Sequence, residues 1–121
     1  MNHKNLDVWQ KSMDFVVEIY CITQEFPKEE KFGLVDQLRR ACVSIPSNIA
    51  EGSGRSGEKE FIRFLHISLG SLVEVDTQLI IAKRLKYIDI DESDRLLNDL
   101  NNIKRMLIGL INQQKRRINE K

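Results

Sequence analysis

Apolar residues return every three or four positions through four segments of the chain, and no alternating strand pattern appears. That period predicts helices and no sheet. The first segment runs from Leu6 to Phe26. Trp9, Met13, Val16, Tyr20 and Thr23 mark one line, and Val8, Phe15, Ile19, Ile22 and Phe26 mark a second beside it. Asp7 suits the positive end of the helix dipole, and Pro27 stops the run. The second segment opens between Glu30 and Gly33 and ends near Gly52, with Val35, Leu38, Cys42, Ile45 and Ile49 as its seam. Pro46 falls inside it. Its ring removes one backbone donor and presses on the Cys42 carbonyl, so a kink is expected; the period continues across it, which argues for one bent helix. The third segment spans Gly57 to Leu85, and Phe61, Leu65, Ser68, Leu72, Val75, Leu79 and Ala82 keep heptad spacing throughout. Gly70 in its middle costs about 1 kcal/mol relative to Ala and predicts a close helix–helix approach there. The fourth follows Ile90. Asp91 is the expected N-cap, Glu92 and Asp94 sit in the first turn, and Leu96, Leu100, Ile103, Leu107 and Leu110 form the seam.

Short connections make sequential helices antiparallel neighbours. The expected fold is therefore all-α: an antiparallel up-and-down four-helix bundle with a Pro-kinked second helix. It forms a single domain over residues 1–121, with helices at about 6–26, 30–52, 57–85 and 91–118. More apolar surface is present than one narrow seam needs. Phe15, Ile19, Ile22 and Phe26 on the first helix, with Ile62, Leu69, Val73 and Ile80 on the third, lie off the main seams. They either widen the core or face another subunit, and their size favours self-association.

Composition narrows the function classes. With 41% hydrophobic and 31% charged residues the chain has material for a core. Only two prolines leave long segments unbroken. A net charge of +1 is too small for the whole-molecule field to draw the protein onto nucleic acid or membrane. The distribution is uneven, however. From Asn101 onward six basic residues stand against Glu120 alone, a local +5 that leaves −4 for the rest. No apolar leader follows Met1, and no run approaches the roughly 18 apolar residues that span a bilayer. The cytoplasm is the expected location, with no membrane contact. Cys21 and Cys42 on adjacent antiparallel helices differ by roughly 10 Å in height, too far for a disulfide. Both read as small buried hydrophobes.

The motifs that carry chemistry are sparse. Gly52-Ser53-Gly54-Arg55-Ser56-Gly57 has the spacing of a dinucleotide loop, but it follows a helix and lacks a surrounding βαβ unit. Its glycines read instead as a left-handed cap ending the second helix and a turn into the third. A di-metal bundle site needs inward carboxylates with Glu-x-x-His pairs; His3 and His66 follow no such glutamate, and Glu74 and Asp76 do not complete a ligand set. No nucleophile can be placed beside a base. The chain is expected to be no enzyme and to hold no metal, cofactor or small-molecule substrate.

Two polar features remain. Arg40, Ser44, Asn48, Glu51 and Arg55 step along one face of the second helix within a sector of roughly 80°. They are either a core flank paired to another helix or subunit, or a ligand or nucleic-acid surface shaped by the Pro46 bend. In an up-and-down bundle the start of helix 1, the second loop and the end of helix 4 share one end. That gathers Lys4, Arg55, Lys59, Arg63, Lys115, Arg116 and Arg117, a pattern suited to phosphate contacts, especially if copies assemble around an axis. The competing reading is a solvated helix end, with Asp7, Glu58, Glu60 and Glu120 offsetting the charge.

The stretch from Phe32 to Arg55, with Ser44-Ile45-Pro46-Ser47-Asn48-Ile49-Ala50-Glu51-Gly52 at its centre, closely resembles the 23S rRNA intervening-sequence proteins, also labelled S23 ribosomal proteins. Glu60 to Glu74 and Leu6 to Lys11 resemble the same family. The resemblance implies a left-handed four-helix bundle, commonly a homopentamer, with no established enzymatic activity. The family takes its name from genes inside insertions of bacterial large-subunit rRNA genes. A similar fold serves as the nucleic-acid-binding accessory protein of diversity-generating retroelements. The family's polar signature falls on Arg40, Ser44, Asn48, Glu51, Gly52, Arg55 and Glu74. Together these readings give the expected function: a non-catalytic, homo-oligomeric bundle that binds RNA or DNA through Arg55, Lys59, Arg63, Lys115, Arg116 and Arg117. The alternative is a protein-binding assembly scaffold with the stripe buried between subunits and no direct nucleic-acid contact.

Overall fold

A computed structural model describes residues 2–121. Four helices carry the fold: α1 (Asp7–Thr23), α2 (Leu34–Ser53), α3 (Glu58–Arg84) and α4 (Ile90–Asn119). Short 3-10 turns at His3–Asn5 and Lys28–Glu30 precede α1 and α2, and no strand occurs among the described residues. Each helix packs on its neighbours in sequence, and α4 closes on α1 along a thinner seam. Cross-links along the α2–α3 pair show its antiparallel sense. Gly52 lies against Phe61 and Phe64, while Ser68 Oγ donates to the Ile45 carbonyl at 2.9 Å and the Ser44 and Ser71 hydroxyls meet at 2.8 Å. At the two ends of the α3–α4 pair, Lys121 meets Glu58 and Lys83 meets Asp94. The molecule is an all-α four-helix bundle.

The seams of α2, α3 and α4 are buried at every position the heptad spacing marks, from Val35 to Ile49, Phe61 to Ala82 and Leu96 to Leu110. Helix α1 differs from expectation. Its core line is Val8, Phe15 and Ile19, whereas Met13 and Tyr20 are exposed and Trp9 and Val16 only partly covered. Both lines have a helical period, so spacing alone could not rank them. Ser12 and Thr23 on the buried side are covered because each hydroxyl bonds a carbonyl of its own helix, Val8 at 2.7 Å and Ile19 at 2.6 Å. On α3, Ile62 and Leu69 are partly covered while Val73 and Ile80 stay exposed.

Several local expectations are corrected. Helix α1 ends at Thr23, and α2 begins only at Leu34, because residues 24–33 turn twice around Pro27 and Gly33. Asp89, not Asp91, caps α4: its carboxylate accepts from the Glu92 amide at 2.8 Å. Gly54 ends α2 in a right-handed conformation, and the positive φ of 84° belongs to Gly57, at the entrance to α3. The close helix approach is at Gly52, where a Cβ would come within 2.6 Å of the Phe64 Cβ; around Gly70 no atom lies within 4 Å of that position. Cys42 is buried but Cys21 is exposed. Helix α3 is long and apolar enough to cross a membrane by length and composition, contrary to the sequence reading, yet it packs between α2 and α4 and supplies core residues to both.

Candidate nucleic-acid interface

The end of the bundle where α1 begins, α2 ends, α3 begins and α4 ends carries the basic residues. Lys121 Nζ reaches Glu58 at 2.7 and 2.8 Å, which pins the last turn of α4 to the first turn of α3. This brings Lys115, Arg116 and Arg117 to the same end of the molecule as Lys59 and Arg63. The ammonium beside Glu58 holds its carboxyl below the usual range. Two candidate cations are paired with carboxylates about one turn away in the chain. Arg55 meets Glu51 at 2.6 Å, and Arg63 meets Glu60 at 2.8 Å. Lys59, Lys115, Arg116 and Arg117 are exposed, with no carboxylate within 4 Å among the described residues. They also sit in turns where the dipoles differ. Arg116 and Arg117 in the last turn of α4 suit its negative C-terminus, whereas Lys59 occupies the positive first turn of α3, softened by Glu58 and Glu60.

The polar stripe of α2 divides into a charged rim and a neutral middle. Arg40 pairs with Asp36 one turn back at 3.1 Å, and Glu51 with Arg55, so these ions stay within one helix or its immediate end. Ser44 reaches across by a hydrogen bond to Ser71 of α3. Asn48 donates to the Ser44 carbonyl at 2.8 Å and to its hydroxyl at 2.9 Å, closing a small network over the α2–α3 seam. Glu74 is exposed on α3 without an ion pair among the described residues. His66 is exposed as well.

Sequence reasoning overlooked two side chains here. Phe64 is buried against Gly52, and the guanidinium carbons of Arg55 and Arg63 lie over its ring at 5.2 and 4.5 Å. Its place beside Arg63 in the sequence was the available signal. Arg39 closes α1 from α2: its Nε donates to Thr23 Oγ1 at 2.8 Å, an Nη to the Tyr20 carbonyl at 3.2 Å, and its guanidinium carbon lies 4.4 Å from the Tyr20 ring centroid. Nothing in the helical period separates Arg39 from its neighbour Arg40.

Two apolar surfaces run along the sides of the bundle. On α1 and α2, a groove of about 360 Å³ runs between Trp9, Met13, Val43 and Pro46, and Val17 and Tyr20 of α1 are exposed as well. On α3 and α4, Val73, Ile80 and Ile108 are exposed. Around a ring of four helices the α1–α2 and α3–α4 seams lie on opposite sides. A smaller cleft of about 240 Å³ between α1 and α4 is lined by Asp14, Glu18 and Asp99 over Phe15 and Met106. Among the described residues no group of three or more histidines, cysteines or carboxylates is placed to hold a metal ion.

Comparison with known proteins gives a consistent assignment. None of the curated proteins matches the chain. Among solved structures, the chain is similar to a crystal structure from Bacteroides thetaiotaomicron, a protein of unknown function from the S23 ribosomal protein family. The two share 27% sequence identity, the match covers 93% of this chain and 99% of that one, and the TM-score is 0.81. The family model for the 23S rRNA-intervening sequence protein matches residues 4–109. Arg55, Lys59 and Arg63 fall inside that stretch, and Lys115, Arg116 and Arg117 beyond it. With the match spanning most of the sequence and the four helices in place, the chain belongs to the 23S rRNA-intervening sequence protein family.

Proposed function

We propose that this protein is a non-catalytic, cytoplasmic, homo-oligomeric bundle that binds RNA or DNA through its basic end. The observation that carries the reading is the cluster formed where α4 ends beside the start of α3. There Lys59, Lys115, Arg116 and Arg117 are exposed and form no ion pair within 4 Å among the described residues, with Glu58 close enough to Arg117 to feel its charge. Phosphate binding needs several such cations in reach of one strand, and each neutralised phosphate releases a counterion. A net charge of +1 per chain makes the effect depend on this clustering. Assembly of copies around an axis repeats the cluster. The two opposed apolar faces support such assembly: they differ from each other, so their pairing is head-to-tail and generates a ring where the rotation closes. The expected ring has five copies, as the family resemblance implies.

Filter binding of a short RNA and a short DNA at low salt tests this directly. The triple variant Lys115→Glu, Arg116→Glu, Arg117→Glu should lose binding by more than about a hundredfold while keeping its helical signal. Unchanged affinity in the triple variant, or no binding of either nucleic acid by the unaltered protein, contradicts the proposal.

A further inference from the structure

At the corner of the basic end where α2 gives way to α3, two arginines share one aromatic ring. Arg55 approaches Phe64 from just beyond α2, and Arg63 from the preceding position on α3, with guanidinium carbons 5.2 and 4.5 Å from the ring centroid. Each is also held by a carboxylate, Arg55 through one Nη to Glu51 and Arg63 through Nε to Glu60. The ring is itself fixed. Phe64 is only 8% exposed, and Gly52 packs so closely that a Cβ there would fall 2.6 Å from the Phe64 Cβ. The arginine side chains nevertheless remain 51% and 58% exposed.

A free surface arginine gives up rotamer freedom when it binds a ligand; these two are already restrained by a ring and a carboxylate. Their pairing with Glu51 and Glu60 also offsets their charge, so they add little to long-range attraction, which falls to Lys59 and the α4 cations. What they keep is a flat, weakly hydrated surface backed by an aromatic ring. Such a surface stacks on the face of a nucleobase. Bases in a duplex hide their faces in the helical stack, whereas unpaired bases present them.

We propose that Arg55 and Arg63, mounted on Phe64, form a stacking platform for an unpaired base, so that the protein prefers single-stranded nucleic acid to duplex. This rests on the nucleic-acid reading above and specifies the form of strand that is bound.

The test is equilibrium binding, at one salt concentration, of a fluorescent single-stranded RNA without self-complementarity, the DNA of the same sequence, and the corresponding blunt duplexes. The unaltered protein should bind single strands about tenfold or more tighter than duplexes. The double variant Arg55→Lys, Arg63→Lys keeps both charges but loses the flat surface. Its affinity for single strands should fall about tenfold, with duplex affinity nearly unchanged. Equal binding of single strands and duplex by the unaltered protein overturns this inference and leaves the nucleic-acid reading standing. So does an undiminished preference in the double variant. If neither form binds even at low salt, both fall.

Discussion

Gly52 and Gly70 invite opposite substitutions although both lie inside helices. A methyl group at Gly52 would press on the Phe64 Cβ at 2.6 Å and on the Phe61 ring at 3.0 Å, and neither atom is the free end of a flexible side chain. Gly52→Ala should therefore destabilise the fold by about 1–3 kcal/mol in urea denaturation. Gly70→Ala meets no atom within 4 Å and should stabilise it by about 1 kcal/mol. The sequence drew attention to the wrong glycine, because Gly70 interrupts an otherwise perfect helical run while Gly52 is hidden in a turn-like Gly-x-Gly. Cys42 offers a pH signature. Burial pushes its thiol from 9.0 up to about 12. The folded protein thus keeps a proton that the unfolded chain releases from about 9 upward. That contribution to stability is whole below pH 9 and is lost as pH rises towards 12. Measured by denaturation across this range, Cys42→Ala should lose less stability with rising pH than the unaltered protein. Parallel decline in the two would contradict the assignment.

At the scale of the element, the heptads of α2, α3 and α4 foretold their buried faces, since each has one apolar line with polar flanks. Helix α1 did not yield its face in the same way. Apolar residues occupy more than half its circumference, and only tertiary packing decides that Phe15 and Ile19 go inward while Met13 and Tyr20 stay out. Its C-terminus depends on Arg39, a residue of another helix that no local rule assigns. Arg39→Ala should cost about 1–2 kcal/mol, after allowance for its partial exposure, and increase amide hydrogen exchange in the last turn of α1. Exchange rising uniformly along α1 would point to a general loosening instead. A second clasp at the same end, Tyr87 Oη donating to Glu30 Oε2 at 2.9 Å, ties the α3–α4 connection to the entrance of α2. That hydrogen bond, together with the nearby carboxylate charge, raises the Tyr87 hydroxyl above its ordinary value. Glu30 and Tyr87 stand far apart in the chain, so periodicity could not connect them.

For the whole molecule, the sequence made the charge asymmetry legible and the bundle topology turned it into a place. What it left open was which cations are spoken for, because Glu51, Glu60 and Glu58 claim Arg55, Arg63 and Lys121 through geometry that spacing only permits. The same holds for the apolar surplus: its existence was readable, its division into two opposed faces was not. If those faces join copies, the protein should sediment as a multiple of its 14.1 kDa chain, five copies on the expected ring. Val73→Asp with Ile80→Asp should reduce it to a monomer of unchanged helicity. An unaltered protein that sediments as a monomer at every concentration would remove the ring.

The central claim concerns the basic end, and the dependence of nucleic-acid affinity on salt tests it most directly. Four exposed cations per chain that form no ion pair among the described residues, Lys59, Lys115, Arg116 and Arg117, should make the logarithm of affinity for a single strand fall linearly with the logarithm of salt concentration. Engagement of all four on one copy gives a slope of about −3, and a steeper one follows if several copies grip the strand. A flat dependence, or no affinity at the lowest salt, would contradict the account.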